Sequence, residues 1–135
     1  MPFYRGKSSF DFRGKISHNN ELNLSAVKRV YVIENKDINL HRGWKGHEIE
    51  TRWFTCVQGS IEIEVIKIED LKLKTNTIRK FVLNDENLDF LKVKPGYATK
   101  IKQIVPKSKL MAFSNYSINE VEDDHHRWPI NFLNI

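Results

Sequence analysis

The clearest pattern of hydrophobic and polar positions runs along the segment SIEIEVIKIE. Ile61, Ile63 and Val65 alternate with glutamates, and a period of two predicts a β-strand with one face in a core and the other in solvent. At Ile66 and Ile68 the solvent-facing positions become apolar as well. This change predicts that the second face is covered at that end, by a partner strand or a second subunit.

Other runs of the chain are equally short, rich in Val, Ile and Phe, and separated by turn-forming residues. The predicted strands are residues 28–35, 52–57, 60–69, 77–83, 88–94, 100–105 and 109–117. Residues 71–76 are predicted to form a long hairpin tip, and the polar tail 119–127 is the one candidate for a short helix. Many strands without helical crossovers predict an all-β antiparallel sandwich or small barrel, with a jelly roll as the best match.

The length of 135 residues corresponds to one domain. We expect a single domain over residues 1–135, with a core at about residues 26–117, a short N-terminal extension and a C-terminal tail. No run approaches the roughly 18 apolar residues of a membrane helix, and the N-terminal residues lack the apolar centre of a secretory signal. We therefore expect a cytoplasmic protein without membrane contact, in which the lone Cys56 is a buried thiol.

The net charge of the chain limits the possible partners only in part. The net charge is +5 and the isoelectric point is about 9.3, which favours an anionic partner: nucleic acid, a phosphorylated metabolite or an acidic surface. The lysines are dispersed and alternate with apolar residues, as on the solvated faces of strands. We therefore do not expect a nucleic-acid binder.

A metal site is the first candidate chemistry, because His41 and His47 lie six positions apart with glutamates nearby. A cupin metal site requires two histidines separated by one residue and a further histidine on a later strand. Neither requirement is met, since the later strand carries Thr99 where that histidine is expected. His125 and His126 are adjacent and would point to opposite faces of an extended chain. The sequence therefore predicts no bound metal.

Acid–base chemistry without metal is the candidate that remains, because the motifs of nucleotide-binding loops, serine hydrolases and zinc ribbons are missing. Proton abstraction beside a carbonyl needs a base, an electrophilic group for the enolate oxygen and often a second acid. His47, Arg42, Arg52 and Tyr116 supply these types. Each also has a simpler interpretation, as a surface histidine or a solvated arginine, and Trp53 is expected to pack in the core.

Three stretches carry a resemblance to a known family: RGWKGHEIETRWFTCVQGSIEIEVI, LDFLKVKPGYATKI and LMAFSNYSINEVEDDHHRWP. They resemble the cupin-superfamily branch that contains dTDP-4-dehydrorhamnose 3,5-epimerase and the dTDP-4-oxo-6-deoxyglucose 3,4-ketoisomerases. The chain is most similar to the small proteins called sugar epimerase-like or WxcM-like. The resemblance spans about residues 26–130 and implies a cupin jelly roll, an antiparallel double-stranded β-helix.

The first stretch carries most of the implied site. Arg42 and Gly43 match the Arg-Gly that opens the motif of both enzyme groups, and the resemblance implies that Arg42 contacts the nucleotide sugar. His47 matches the second histidine of the ketoisomerases' His-x-His pair, whereas Lys45 takes the place of the first and of the epimerases' catalytic base. Arg52 falls at the epimerases' active-site lysine.

The later stretches imply further site residues. PGYA matches the family's Pro-x-Gly-Phe/Tyr-Ala-His, with Thr99 in place of the histidine. The Asn-Tyr-Ser around Tyr116 resembles the epimerases' Tyr-Tyr-Ser-Pro, whose tyrosine serves as acid. With these motifs, Trp44 and Tyr97 are expected to contact the substrate.

The resemblance implies a metal-independent nucleotide-sugar isomerase or epimerase that needs no cofactor and acts on a dTDP-4-keto-6-deoxyhexose or similar sugar in surface polysaccharide biosynthesis. In this hypothesis His47 removes a proton beside the ketone, Arg52 or Lys45 stabilises the enolate oxygen, and Tyr116 returns a proton. A buried cationic cluster is expected to lower the pKa of His47 and keep it a free base at neutral pH. The resemblance also implies a homodimer.

A second hypothesis follows from the two replaced histidines at Lys45 and Thr99. It describes a catalytically silent cupin that binds a nucleotide sugar or a partner protein. The sequence leaves open the sugar, the nucleotide and the choice between epimerisation and ketoisomerisation.

Overall fold

The computed structural model describes residues 2–118, 120 and 122–133. Its strands are Phe3–Tyr4 (β1), Lys7–Asp11 (β2), Gly14–His18 (β3), Arg29–Ile33 (β4), Arg42–His47 (β5), Arg52–Gln58 (β6), Ser60–Lys67 (β7), Arg79–Asn84 (β8), Phe90–Val93 (β9), Tyr97–Gln103 (β10), Lys109–Ser114 (β11) and His126–Arg127 (β12). An α-helix, Ile68–Lys72 (α1), and a 3-10 helix, Glu122–Asp124, are the helical elements of the described residues. None of the described helices is long and apolar enough to span a membrane.

Ten of the strands form two five-stranded sheets, and β2 and β3 form a separate hairpin. The first sheet has the order β1-β9-β6-β11-β4, and the second has the order β12-β5-β10-β7-β8. Every pairing is antiparallel. The two sheets pack face to face around one core, so the predicted all-β cupin jelly roll is confirmed.

The interior core lies between the sheets. From β7 it contains Ile61, Ile63 and Val65, the inward face that the alternation predicts, and the first sheet contributes Phe54 and Leu110, both 0% exposed. Cys56 belongs to the same core, as predicted, and burial raises the pKa of its thiol to about 11. A thiol with that pKa is protonated at neutral pH and is a poor nucleophile.

The second sheet is also covered on its outer side, by an outer cluster of Trp44, Ile66, Ile68, Leu71 and Ala98. The chain turns directly from β7 into α1, and α1 with the C-terminal segment 128–133 lies over this face. The predicted covering by a partner strand or a second subunit is therefore wrong, because the chain covers the face itself. The predicted hairpin tip at residues 71–76 is wrong at its start, where α1 extends to Lys72.

The outward glutamates of β7 differ from the prediction as well. Glu64 was expected to reach solvent but is only 8% exposed. The Nζ of Lys100 lies 2.9 Å from its carboxylate and the Nζ of Lys80 lies 3.6 Å away. Both lysines come from the neighbouring strands, and their long aliphatic stems cover the carboxylate while their charges pair with it.

The seven predicted strands all correspond to observed strands, β4 and β6 to β11. The sequence pattern missed β5, because its two glycines interrupt the alternation in RGWKGH. It also missed β1, which pairs with β9 and so joins the N-terminal residues to the first sheet. The short helix predicted for residues 119–127 corresponds to the 3-10 helix, and positions 119 and 121 lie outside the described residues.

Two adjacent residues of β8 provide a test of this packing. Leu83 is 0% exposed and lies opposite Ile61 in the interior core, whereas Val82 is 50% exposed. We expect Leu83→Ala to lower the free energy of unfolding by about 2–5 kcal/mol, because it leaves a cavity. The matched change Val82→Ala should stay within about 0.5 kcal/mol. Urea unfolding measures both, and equal losses would contradict the assignment of the two faces.

Candidate active site

A cavity of about 590 Å³ opens between the two sheets. The first sheet contributes β4 and β6 to its wall, and the second contributes β5, β10 and β12. The lining residues are Tyr31, Val32, Ile33, His41, Arg42, Gly43, Lys45, Arg52, Phe54, Thr99, Ile101 and Arg127. Four of these side chains are arginine or lysine, and in the described part of the chain no aspartate or glutamate lines the cavity. The cavity is therefore suited to an anionic ligand.

Arg52 is the most deeply buried of these cations, at 3% exposure. It stands at the start of β6, and its side chain passes 5.3 Å from the ring of Phe54. Its Nη1 donates to Thr99 Oγ1 at 3.2 Å and its Nη2 to the carbonyl of Lys45 at 3.5 Å. These acceptors are neutral, and Nε has no hydrogen-bond partner among the described residues. A buried guanidinium of this kind favours an anion in the adjoining cavity.

Lys45 lies beside Arg52 in the cavity wall. It is half-buried on β5, opposite Thr99 of β10 and opposite Arg127 of β12. Burial lowers its pKa from the ordinary value of a lysine, and the charges of Arg52 and Arg127 lower it further. A larger fraction of free amine is therefore available than for an exposed lysine at the same pH.

His47 lies two residues further along β5, 2% exposed, in a pocket of buried carboxylates. Its Nδ1 is 3.2 Å from Glu50 Oε2 and 3.6 Å from Asp124 Oδ2, which favours the tautomer that carries the proton on Nδ1. Burial lowers the pKa of His47 to about 3, assisted by the charges of Arg52 and Lys45. The predicted lowering of this pKa is confirmed, and His47 is neutral at pH 7.

His47, Glu50 and Asp124 also bring possible metal-ligand atoms within 4.8 Å of one another. The carboxylate of Asp124, however, already accepts hydrogen bonds from the three successive backbone N–H groups of residues 48–50. Glu50 lies 3.6 Å from the guanidinium of Arg29. Because these carboxylates are occupied by amides and a cation, we interpret the trio as a support that fixes His47 and the turn after β5.

The structure brings three of the predicted site residues together in the cavity: Arg42, Lys45 and Arg52. Arg42 is exposed at the rim, where its Nε donates to Asn35 Oδ1 at 2.9 Å. His47 does not line the cavity but lies behind Lys45 on the same face of β5. Its predicted role as a base in direct contact with substrate is therefore not matched by its position.

The other three predicted residues lie elsewhere. Trp44 is 1% exposed in the outer cluster, because alternation along β5 turns it away from the cavity. Its predicted substrate contact is therefore corrected to a packing role. Tyr97 is half-buried and packs against the interior core. Tyr116 lies beyond the end of β11, with the Nζ of Lys28 5.8 Å from its ring, and does not line the cavity.

Tyr31 and Arg127 are two polar cavity residues that were missed from the sequence. Tyr31 is an inward residue of β4, but the pattern RVYVI would place the more apolar Val30 and Val32 inside instead. Arg127 comes from the polar C-terminal tail, and its place beside Lys45 depends on the pairing of β12 with β5. No local pattern signals that pairing, because β12 is only two residues long.

Comparison with known proteins identifies the family and the fold. A family model described as FdtA: WxcM-like, C-terminal matches residues 5–134. No curated protein matches the chain.

Solved structures with a similar fold include a mutant of the 3,4-ketoisomerase QdtA from Thermoanaerobacterium thermosaccharolyticum in complex with TDP-4-keto-6-deoxyglucose, at 18% identity and a TM-score of 0.72 over 98% of this chain and 90% of that chain. The WlaRB TDP-quinovose 3,4-ketoisomerase from Campylobacter jejuni is 20% identical, with a TM-score of 0.70 over 98% and 95% of the two chains. The dTDP-4-dehydrorhamnose 3,5-epimerase of Bacillus anthracis is 18% identical, with a TM-score of 0.74 over 98% and 82%. At these identities the similarity shows a shared fold.

The lowered pKa of His47 makes stability depend on pH. The unfolded chain protonates His47 near its ordinary pKa of 6.5, whereas the folded protein does so only at about 3. As the pH falls from 6.5 towards 3, the free energy of unfolding should therefore decrease by about 1.4 kcal/mol per pH unit from this residue. Above pH 6.5 His47 should add no pH dependence to the free energy of unfolding. Urea unfolding across this range should show a shallower dependence for His47→Gln, and identical slopes would refute the assignment.

Proposed function

Because the chain belongs to the family FdtA: WxcM-like, C-terminal, we propose that it is a metal-independent nucleotide-sugar isomerase or epimerase. Its proposed substrate is a dTDP-4-keto-6-deoxyhexose or similar sugar, and its proposed role is in surface polysaccharide biosynthesis in the cytoplasm. The observation that carries the proposal is the cavity between the sheets, whose wall contains the buried cation Arg52 and the half-buried amine Lys45 and, among the described residues, no carboxylate.

The charge of the cavity suits the chemistry of a keto sugar. Removal of a proton beside a ketone places negative charge on the carbonyl oxygen, and a fixed cation in a water-poor site stabilises that charge strongly. Arg52 is held by two hydrogen bonds and is 3% exposed, so it is already oriented before the substrate arrives. Arg42 at the rim is placed for the diphosphate, which its planar guanidinium can bind through two parallel hydrogen bonds.

The base of this reaction is proposed to be Lys45. Its position in the cavity wall and its lowered pKa both support this role. A general base works best when its pKa is close to the working pH, and the shift of Lys45 is in that direction. His47, neutral and held by Glu50 and Asp124, is proposed to support Lys45 from behind without adding a positive charge.

Isotope exchange tests the proposal. The protein is incubated with dTDP-4-keto-6-deoxyglucose in heavy water, and deuterium at C3 and C5 is followed by NMR. We expect exchange whose rate rises with pH as Lys45 loses its proton. Lys45→Arg, which keeps the charge but not the basicity, should slow it by about 100-fold or more. Lys100→Arg is the matched control, because Lys100 pairs with Glu64 away from the cavity.

The results separate the alternatives. Bound nucleotide sugar without exchange in the wild-type protein would favour the catalytically silent cupin over the enzyme. Full activity in Lys45→Arg together with a large loss of activity in His47→Ala would indicate that His47 is the base.

We also propose a homodimer, which is supported by apolar side chains on the surface of the protein. Phe10 and Phe12 of the β2–β3 hairpin are 77% and 97% exposed. Val30 projects from the outer face of β4, an edge strand, and is 54% exposed. Large contiguous apolar patches mark protein interfaces, and these side chains are the candidates for such a patch.

Light scattering at micromolar concentration tests the dimer. We expect twice the mass of one chain for the wild-type protein, and a monomer for the double variant Phe10→Ser with Phe12→Ser, because the hairpin would lose its apolar contacts. The double variant retains Phe3, because Phe3 stacks on Phe81 within the fold and its loss would disturb the core. A wild-type monomer would contradict the proposal.

A further inference from the structure

We propose that Asp124 is a positioning residue for ligand binding: it fastens the C-terminal strap, residues 124–133, to the turn after β5, and the strap in turn presents Arg127 to the diphosphate of the ligand. Docking of the strap and binding of the anion are then coupled. This inference rests on the proposed function and adds to it a further anion-binding residue and the group that positions it. Its basis is the series of contacts that leads from Asp124 through β12 to the wall of the cavity.

Asp124 joins the strap to the body of the protein. Its side chain is 1% exposed, and its carboxylate accepts hydrogen bonds from the backbone N–H groups of Glu48 at 2.7 Å, Ile49 at 3.1 Å and Glu50 at 2.9 Å. Hydrogen bonds to an ionised acceptor are stronger than those between neutral groups. Three successive amides therefore hold one end of the strap through a single side chain.

The strap enters β12 two residues after Asp124. In the pairing of β12 with β5, Arg127 lies directly opposite Lys45. Residues that oppose each other in this way project from the same face of a sheet, so Arg127 projects with Lys45 into the cavity. The residues on either side of it, His126 and Trp128, project to the outer side, where Trp128 packs against the outer cluster. Arg127 is thus the residue of the strap that lines the cavity.

The pairing of Arg127 with Lys45 is unfavourable by itself, because like charges directly opposite each other in an antiparallel pair repel. Among the described residues, Arg127 forms no ion pair with a carboxylate that would offset this repulsion. Phosphate oxygens would supply acceptors that a guanidinium binds through parallel hydrogen bonds. An anion between these cations therefore turns the repulsion into attraction. Local conflicts of this kind are expected at functional sites.

The length of β12 provides the coupling. It is two residues long and forms an edge of the second sheet, and short elements of this kind open locally at a lower cost than the core. A diphosphate that contacts Arg127 binds the docked strap better than the opened strap and shifts the equilibrium towards the docked form. By linkage, a residue that holds the strap docked raises the affinity for the anion.

The charge of Asp124 predicts the opposite effect on affinity, so the sign of the change is informative. Asp124→Asn removes a negative charge near a cationic cavity, and this change in the field should by itself strengthen the binding of an anion. Loss of the positioning of Arg127 should weaken it.

Calorimetric titration of the full chain with dTDP tests the inference. We expect Arg127→Gln to weaken binding by about 10-fold or more, because hydrogen bonds between a guanidinium and phosphate are lost. Asp124→Asn should weaken binding by about 5-fold or more. In the double variant, Asp124→Asn should add no further loss to that of Arg127→Gln, since its effect passes through Arg127.

Arg79→Gln and Asp89→Asn are the matched controls. Arg79 is exposed on β8, the opposite edge of the same sheet. Asp89 accepts a hydrogen bond from the backbone N–H of Gly6 at 2.8 Å and so also fastens a terminal segment, but it does not line the cavity. Both variants should bind dTDP as the wild-type protein does.

Hydrogen–deuterium exchange of residues 124–133, followed by mass spectrometry, tests the coupling from the other side. Saturating dTDP should slow the exchange of this segment in the wild-type protein. The same concentration of bound dTDP should slow it much less in Arg127→Gln, in which the ligand has lost its contact with the strap.

Four results would overturn the inference: unchanged affinity in Arg127→Gln, unchanged or tighter binding in Asp124→Asn, additive losses in the double variant, and equal exchange of the strap with and without dTDP in the wild-type protein. Each of them leaves the proposed isomerase function standing, because that function is tested by isotope exchange into the keto sugar. The expected pattern of dTDP binding without any isotope exchange would support the strap in a catalytically silent cupin. A wild-type protein that binds no dTDP would overturn the inference.

Discussion

The buried guanidinium of Arg52 is the feature on which the rest of the site depends. At 3% exposure this guanidinium has lost most of its hydration. Its hydrogen bonds go to neutral oxygens, which compensate only part of the cost of burying its charge. It is tolerated because it stands at the start of β6, where the interior core borders the cavity. Burial is the main cause of the lowered pKa of Lys45 and of His47, and the charge of Arg52 lowers both further. Arg52 thus acts on the protonation of two neighbours in the same part of the site.

The two glycines of β5 make this wall possible by allowing other segments to approach it. A Cβ on Gly43 would lie 2.1 Å from Cγ1 of Ile130, and one on Gly46 would lie 2.9 Å from Cδ1 of Ile68. The C-terminal segment and α1 can therefore pack against β5, which buries Trp44 and brings Arg127 to the cavity. The two glycines of the motif RGWKGH thus allow α1 and the C-terminal segment to pack closely on β5, and Trp44 belongs to the outer cluster that they cover.

Much of the fold could be predicted from the sequence, because strands with one buried face leave a period of two, as in Ile61, Ile63 and Val65. The covering of the outer face of the same strand could not be predicted, because the apolar residues Ile66 and Ile68 indicate that this face is buried but not which segment buries it. The site was predicted in part. Arg42, Lys45 and Arg52 meet in the cavity as the family motif implies, although Arg42 has the opposite parity to Lys45 on β5 and lies beside an irregularity in the pairing of β5 with β10. Arg127 depends on a two-residue pairing far away in sequence, which leaves no pattern.

The distribution of charge explains why a lysine can stand at the cavity wall. Glu50 and Asp124 are buried behind His47, where amides and Arg29 occupy them, while the cations face the cavity. A carboxylate paired directly with Lys45 would raise its pKa and keep it an ammonium. Burial is the main cause of the lowered pKa of Lys45, and the charges of Arg52 and Arg127 lower it further against an opposing effect of Glu50. Burial also keeps His47 neutral, so that this residue adds no further positive charge beside the proposed base.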